Sequence, residues 1–411
     1  MIGFRIKNKT LKQFFRPIIN FGYHLPWAIF WTLYYRWPTR KLIVIGVTGT
    51  DGKTTTSNLI WHILTCAGKK AGLVTSINAK IGHQEEDTGL HVTTPDPKKL
   101  QHFLSKISQA GNRYAVVEAT SHGLDQYRLW GINFYLGVIT NITPEHLDYH
   151  QNMTAYANAK AKLIQQSQIA ILNRDNDWFS YLELIAKKNH KQTITYGIKN
   201  QADITIKKFS HSCPLPGIYN QYNCLAAIAA AKALKITDQQ IKKALESFAQ
   251  LKGRLDPVIL GQNFKVFIDF AHTPNALENV LEELKQQLPK GKRLIAVFGC
   301  AGLRDYHKRP IMGKIASQLA DLTIITSEDP RTEKADKIAN QIAAGFHSGA
   351  KKKIIVDRSE AIDFAIKQAQ KNDIVVILGK GHEQSMCFGK TEHPWSDHQE
   401  AVKAIKKILP K

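Results

Sequence analysis

The stretch "GVTGTDGKTTT", residues 46–56, decides the fold of the first half of the chain. It follows the apolar run Leu42–Ile45 and precedes a segment whose apolar residues Leu59, Ile60, Ile63 and Leu64 recur at helical spacing. Strand, glycine- and hydroxyl-rich loop, then helix is the context a phosphate loop requires. Backbone N–H groups at the helix N-terminus cradle phosphate oxygens, Lys53 reaches the terminal phosphates and Thr54 offers a hydroxyl to Mg²⁺. The spelling departs from GxxxxGK[ST], whose first glycine would fall on Val47. The loop therefore nominates Gly49, Thr50, Asp51, Gly52, Lys53, Thr54 and Thr55 as contacts for ATP, without saying what ATP is used for.

Outward from that loop, strand-like runs alternate with helical patterns. The runs are Leu42–Val47, Tyr114–Glu118, Leu136–Thr140, Val266–Asp269, Leu294–Phe298, Leu322–Thr326 and Ile374–Leu378. Most are uniformly apolar, as strands buried on both faces are. Amphipathic segments such as "NALENVLEELKQQL" (275–288) lie between several of them. This predicts an α/β chain with parallel sheets: a central P-loop-type ATPase domain over 42–252 and a C-terminal Rossmann-like α/β domain over 253–411. The break is placed near "LKGRLDP" (251–257), where an alanine-rich helical region ends.

At 411 residues and 43% hydrophobic content, the chain can bury more than one core. The net charge of +22 is spread along the whole length rather than gathered in a block, so it lends an anionic partner only modest support. No nucleic-acid module is present and no nucleic-acid partner is expected; a basic nucleic-acid-binding NTPase would need aromatic and basic clusters on one face. The cysteines Cys66, Cys213, Cys224, Cys300 and Cys387 are odd in number, widely spaced and without a CxxC pair. That argues against a disulfide framework or zinc ribbon and fits a reducing cytoplasm.

Residues 1–41 stand apart. They carry Arg5, Lys7, Lys9, Lys12, Arg16, Arg36, Arg40 and Lys41 with no Asp or Glu, around the uncharged "PIINFGYHLPWAIFWTLYY" (17–35). Asn20, Gly22, His24 and Pro26 make this a poor spanning helix. Trp27, Trp31, Tyr34 and Tyr35 between arginines suit a bilayer interface; the alternative is a helix packed on the following domain with its aromatics in that core. No cleavable signal peptide is evident.

Further motifs follow the loop in fixed order: "VTTPD" (92–96), "VVEATSHGLDQYR" (116–128), "TNITPEHLDYH" (140–150), "YANAKAKLI" (156–164), "GRLD" (253–256), "IDFAHTPNALENVL" (268–281), "VFGCAGLRDYHKRPIMG" (297–313), "TSEDPRTE" (326–333) and "LGKGHEQ" (378–384). In these the chain resembles the Mur ligase family over about residues 42–400. The branch it resembles most is MurE, which adds the third stem residue to UDP-N-acetylmuramoyl-dipeptide. The resemblance implies an ATP-dependent ligase that phosphorylates a carboxylate to an acyl phosphate, which an amine then attacks. Charge on the transferring phosphoryl must be neutralised by metal and cations.

The resemblance also distributes roles. Glu118 holds Mg²⁺ together with Thr54; His146 is the ligand of a second Mg²⁺; Lys160 falls where the family carries a carbamylated lysine. On its own Lys160 would be a solvated helical lysine, as Lys162 is expected to be. Asn220 and Asn223 lie near the adenine, Arg254 on the phosphates and Asp269 on the ribose, although Asp269 could instead cap the next helix. Thr93, Thr94, Thr120, Gln126, Arg128 and His272 match the muramoyl-peptide acceptor site. Arg304, Asp329, Arg331, Gly379 and Glu383 match the site of the incoming amino acid. Arg331 favours diaminopimelate over lysine, because a guanidinium pairs bidentately with the additional carboxylate.

Departures from the pattern are specific. Asp329 and Glu328 replace the usual asparagine and aspartate, and an added carboxylate could repel the amino acid's carboxylate or attract its ammonium. Ala301, Leu303 and His307 also differ from the common pattern. The forty residues ahead of the loop leave no room for the family's N-terminal uridine-binding domain of about a hundred residues. The expectation is a cytoplasmic enzyme, a monomer, with residues 1–41 as a candidate contact to the inner membrane face, and with a lipid-linked muramoyl peptide or a folylpolyglutamate-like acceptor as the rival to a soluble nucleotide sugar.

Overall fold

The computed structural model describes residues 15–82, 84–88, 94–209 and 213–409. The chain forms two compact units, one reaching to Pro214 and including Tyr219–Phe248, the other running from Ala249 onward with Leu215–Ile218. The first holds an eight-stranded sheet: β1 (Ile43–Thr48), β2 (Ala71–Val74), β3 (Asn78–Ile81), β4 (Gln84–Asp87), β5 (Tyr114–Glu118), β6 (Phe134–Ile139), β7 (Ser167–Asn173) and β8 (Gln192–Tyr196). Its order is β4-β3-β2-β5-β1-β6-β7-β8. Pairing from β2 to β8 is parallel, while β2–β3 and β3–β4 are antiparallel.

That order places the phosphate loop. The chain leaves β1 toward β2 on one side, whereas β6 leads to β7 on the other, so winding reverses between β1 and β6. Ligands of open α/β sheets sit at the carboxyl ends of strands at such a reversal, and residues 49–52 lie there. The helix Lys53–Cys66 buries Leu59, Ile60, Ile63 and Leu64 against Ile45, Val47, Val116 and Val138. Each such side chain contributes roughly 1.5–3 kcal/mol. On the opposite face Leu100, Leu104 and Ile107 of the helix Pro97–Gln109 pack on Val44, Ala115 and Val117.

Ahead of the sheet runs a helical segment made of Arg16–Ile19, a π turn Asn20–His24 and Leu25–Tyr34. Its side toward the unit carries the buried Asn20, Ala28 and Thr32, with Ile19, Leu25 and Ile29 half-buried beside them. The segment is fastened by Thr32 Oγ1 to Trp130 O (3.3 Å) and by Trp37 Nε1 to Gly131 O (2.6 Å); Thr32 Oγ1 also donates to Ala28 O of its own helix (2.8 Å). The helix thus packs on the following domain, but its fully buried residues there are small or polar; of the four aromatics Trp27 and Tyr34 point outward and only Trp31 and Tyr35 are half-buried. Arg5, Lys7, Lys9 and Lys12 lie outside the described residues. No helix among the described residues is long and apolar enough to cross a membrane.

The second unit holds β9 (Asp256–Pro257), β10 (Lys265–Asp269), β11 (Leu294–Phe298), β12 (Leu322–Ile325), β13 (Lys352–Ile354) and β14 (Ile374–Leu378), in the order β13-β12-β11-β14-β10-β9 and parallel except for β9. A hairpin of β15 (Ser385–Phe388) and β16 (Thr391–Pro394) follows. Arg358 and Asp397, both fully buried, join the helices Arg358–Gln368 and Asp397–Ile408 through two bonds of 2.8 and 2.7 Å. Arg358 also donates to Ser327 O and Leu378 O, beyond the ends of β12 and at the end of β14.

One sequence expectation is corrected here. Cys213 and Cys224 form a disulfide, so the argument against disulfides fails for this pair. Cys213 precedes the helix Ile218–Ala233 and Cys224 lies in its second turn, where the helix brings the two together; spacing carries no signal of that.

Candidate active site

The loop after β1 is held from three sides. Thr140 Oγ1 and Asn141 Nδ2, just past β6, donate to Asp51 O (2.6 and 3.2 Å), and Asp51 N donates to Asn141 Oδ1. Thr50 Oγ1 donates to Thr143 O and meets Tyr156 OH at 3.2 Å. Gly52 has φ +80°, and a Cβ there would stand 2.2 Å from Asn223 Oδ1. Asn223 in turn accepts from Thr56 Oγ1 and donates to Asn220 Oδ1. Both asparagines assigned to the adenine therefore flank the loop in space, 170 residues on in sequence. Thr55 is buried in the first turn of the helix.

Two candidate metal ligands meet at hydrogen-bond distance: Thr54 Oγ1 donates to Glu118 Oε2 at 3.0 Å, and Ser76 N donates to the same oxygen at 3.1 Å. The parallel register explains the meeting, since Glu118 pairs with Val47 beside the start of the loop. Among the described residues no group of three or more His, Cys, Asp or Glu converges as a metal cluster. A hydroxyl and one carboxylate nonetheless fit Mg²⁺, which is commonly held by one or two protein oxygens plus substrate phosphates.

Lys160 is not solvated. It is fully buried in the helix Met153–Gln165, with Nζ 4.5 Å from the centre of the Tyr156 ring. Burial, aided by nearby Lys53, holds its amine well below the ordinary lysine range, against the opposing pull of Asp51 and Glu145. Lys53 Nζ itself donates to Thr50 O at 2.8 Å. His146 caps the short helix Leu147–His150 in a left-handed conformation, φ +58°, its ring 4.8 Å from that of His122 and 6.3 Å from that of Tyr156. His146 and Lys160 thus border the same tyrosine, which the sequence reading did not single out. Lys162 is likewise not merely solvated: its Nζ bonds Asp125 Oδ1 at 2.8 Å.

The acceptor candidates of this unit form one linked patch, except Thr93, which lies outside the described residues. Thr94 Oγ1 receives Thr120 N (2.8 Å) and pairs with Thr120 Oγ1 (2.9 Å). Arg128 donates to Thr94 O (2.8 Å) and to Gln126 Oε1 (2.6 Å). Gln126 Nε2 reaches Tyr149 OH at 3.4 Å.

In the second unit Asp269 accepts from Leu255 N and Ala271 N (2.7 and 2.8 Å). The next helix, Pro274–Gln286, is capped by Thr273, so Asp269 is not its cap. Arg254 lies over the Phe270 ring at 4.8 Å, and His272 Nδ1 bonds Phe270 O. Asp329, Arg331, Gly379 and Glu383 gather around Lys380, a fully buried lysine that the sequence reading passed over inside "GKGHE". Lys380 Nζ bonds Asp329 Oδ1 (2.9 Å) and pairs with Glu383. Cys387 N also donates to Asp329 Oδ1. The added carboxylate is thus bound within the unit. Arg331 Nη1 donates to Gly302 O (2.7 Å), and Arg331 lines a cavity of about 480 Å³ with Ser327, Glu333, Arg358 and Phe388. Arg304 is half-buried on the loop after β11 and does not line that cavity. Glu328 is buried with Oε2 unpartnered among the described residues, and burial raises its carboxyl to about 7 despite Lys308, Arg358 and Lys380.

A phosphate-loop site in one unit, and in the other a cavity lined by Arg331 and Arg358 together with Glu333 and Asp357, fit an ATP-dependent acid–amino-acid ligase. Residues 47–231 match the Mur ligase middle domain and residues 253–381 the Mur ligase glutamate ligase domain. The chain belongs to the Mur ligase family. It is 38% identical over 401 residues to a UDP-N-acetylmuramoyl-L-alanyl-D-glutamate–2,6-diaminopimelate ligase of Oceanobacillus iheyensis, covering 91% of this chain and 80% of that one. The enzyme of that name in Aquifex aeolicus is 40% identical over 390 residues, covering 90% and 78%. A solved structure of such a ligase superposes with TM-score 0.61 at 32% identity, covering 95% of this chain and 83% of that chain.

Proposed function

We propose that this enzyme joins 2,6-diaminopimelate to the D-glutamyl carboxylate of a muramoyl-L-alanyl-D-glutamate acceptor, releasing ADP and phosphate. The observation that carries the reading is the meeting of Lys53, the Thr54–Glu118 pair and buried Lys160 around one loop at the sheet's reversal. Lys53 and the loop N–H groups hold the β- and γ-phosphates. Mg²⁺ on Thr54 and Glu118 would neutralise charge on the phosphoryl in transit to the carboxylate. Thr94, Thr120, Gln126 and Arg128 hold the anionic, hydroxylated acceptor. Burial favours the neutral form of the Lys160 amine, the form that takes up CO₂, and the resulting carbamate with His146 would supply the second metal's ligands.

In the first unit Asn220 and Asn223 serve the nucleotide. In the second unit Arg331 takes the carboxylate that distinguishes diaminopimelate from lysine, and Asp329, bound to Lys380, orients this group. We place the reaction in the cytoplasm, at the inner face of the membrane. Phosphate release is measured with UDP-N-acetylmuramoyl-L-Ala-D-Glu and diaminopimelate, lysine or no amino acid. Release that requires diaminopimelate is expected. Equal release in all three sinks the reading, and product with lysine alone sinks the role of Arg331.

A further inference from the structure

The helical segment 16–34 is apolar nearly all round, and its most exposed side chains are large apolar ones. A surface helix normally turns its apolar stripe to the core. Here Asn20, Ala28 and Thr32 are buried against the protein with Ile19, Leu25, Ile29 and Trp31 half-buried beside them, while Ile18, Phe21, Tyr23, Trp27, Phe30, Leu33 and Tyr34 face out. Phe21 is 69% exposed, Phe30 53%, Leu33 57% and Tyr34 64%. Trp27, Phe30, Trp31 and Tyr34 form one run of ring contacts at centroid spacings of 5.1–6.2 Å. An apolar patch of this kind marks an interaction surface.

The surroundings are cationic. Arg36, Arg40 and Lys41 follow the helix, Lys98 Nζ lies 5.0 Å from the Trp31 ring centre, and Lys99 is exposed beside it. The nearby carboxylate of Asp96 is occupied by the N–H groups of Lys98 and Lys99. In sequence, Arg5, Lys7, Lys9 and Lys12 precede the segment, and no Asp or Glu occurs before Asp51.

We propose that this outward face is a seat for an anionic bilayer surface, on which the helix lies in the membrane plane. Aromatic rings and aliphatic side chains enter the boundary between headgroups and acyl chains while the cations meet anionic lipid. The bonds of Asn20, Thr32 and Trp37 to the first unit fix the helix along the protein, so only its outer side is offered. A second copy of the chain is the poorer occupant, because an isologous contact would set these cations against their own counterparts.

The seat is wired to the acceptor patch. Asn20 Nδ2 bonds both Oδ2 and the backbone O of Asp125 at 3.1 Å, and Arg16 lies 3.7 Å from the same carboxylate and bonds Tyr149 O. Asp125 ends the helix Ser121–Asp125, between Thr120 and Gln126. Docking therefore sets the direction in which the acceptor patch faces the membrane.

Sedimentation of the full chain with phosphatidylcholine vesicles, with and without phosphatidylglycerol, tests this. The wild type should sediment with the anionic vesicles and be released by salt. The triple substitution F21S/F30S/L33S should weaken that about tenfold or more, leaving phosphate release with a soluble acceptor unchanged. Quenching of wild-type tryptophan fluorescence by brominated acyl chains checks insertion without any variant.

A wild type that stays in the supernatant, is not quenched, or binds neutral vesicles equally overturns the proposal. So does a triple variant that sediments like the wild type, which would leave binding to the basic terminus. A wild-type dimer that the triple substitution makes monomeric, with no vesicle binding, identifies a second copy as the occupant and overturns it too. Sedimentation and phosphate release are separate readings, so this proposal and the ligase reading can fail independently.

Discussion

Replacing Glu328 by glutamine should make the enzyme more stable at neutral and alkaline pH while changing little in acid. Glu328 is buried, its Oε2 has no partner among the described residues, and its carboxyl titrates at about 7 rather than 4.5. The folded protein therefore holds a proton that the unfolded chain has lost between pH 4.5 and about 7. A raised carboxyl pKa contributes stability that is fully present below the unfolded value and lost as pH climbs through the folded one. A gap of about 2.5 pH units, at about 1.4 kcal/mol each, amounts to roughly 3–4 kcal/mol. The advantage of Glu328→Gln over the wild type should be near zero at about pH 4.5, rise by about 1.4 kcal/mol per pH unit, and level off above about pH 7. Differential scanning calorimetry of both proteins across that range reads it, since titrations of groups remote from residue 328 cancel in the comparison. An advantage that does not vary with pH, or that grows toward acid, would refute the account of Glu328 as a desolvated carboxyl.

Three further outcomes are expected. Gly52→Ala places a Cβ against Asn223 Oδ1 at a backbone angle that suits glycine; it should weaken ATP binding at least tenfold and cost about 1–3 kcal/mol of stability, read by nucleotide titration and thermal melting. Glu118→Gln keeps the bond from Thr54 but removes the charge offered to Mg²⁺, so kcat should fall about a hundredfold or more with the melting temperature little changed. Arg331→Leu should raise the KM for diaminopimelate more than about tenfold without raising that for ATP; equal effects on both would refute a specificity role.

How much of this was legible in sequence depended on burial. The runs at Tyr114–Glu118, Leu294–Phe298 and Ile374–Leu378 match β5, β11 and β14 end to end, because strands covered on both faces must be apolar throughout. Of the strands outside those runs, "NAKI", "QEED" and "KKI" (β3, β4, β13) carry polar residues at or near a sheet edge and leave no apolar signature, whereas β2 and β7 are buried but too short or too interrupted by polar residues to stand out. The phosphate loop was readable because its chemistry is local. The setting of Glu328 was not, since Lys308, Arg358 and Lys380 reach it from three separate stretches of chain. The N-terminal helix was ambiguous for a different reason. Its residues are uncharged all round, so only packing reveals that the small ones, not the aromatic ones, face the protein.

The Arg358–Asp397 pair bears on the order of events during synthesis. Thirty-nine residues separate the two partners, and every strand of the second sheet precedes Asp397 in the chain. At about 5–20 residues per second of translation, Arg358 spends roughly two to eight seconds emerged without its carboxylate. The sheet can assemble in that interval, but the buried guanidinium then lacks the carboxylate that takes two of its hydrogen bonds. The helix beginning at Asp397 is then a latch whose arrival commits the unit to its folded state, and until it arrives the nascent chain is exposed to chaperones and proteases.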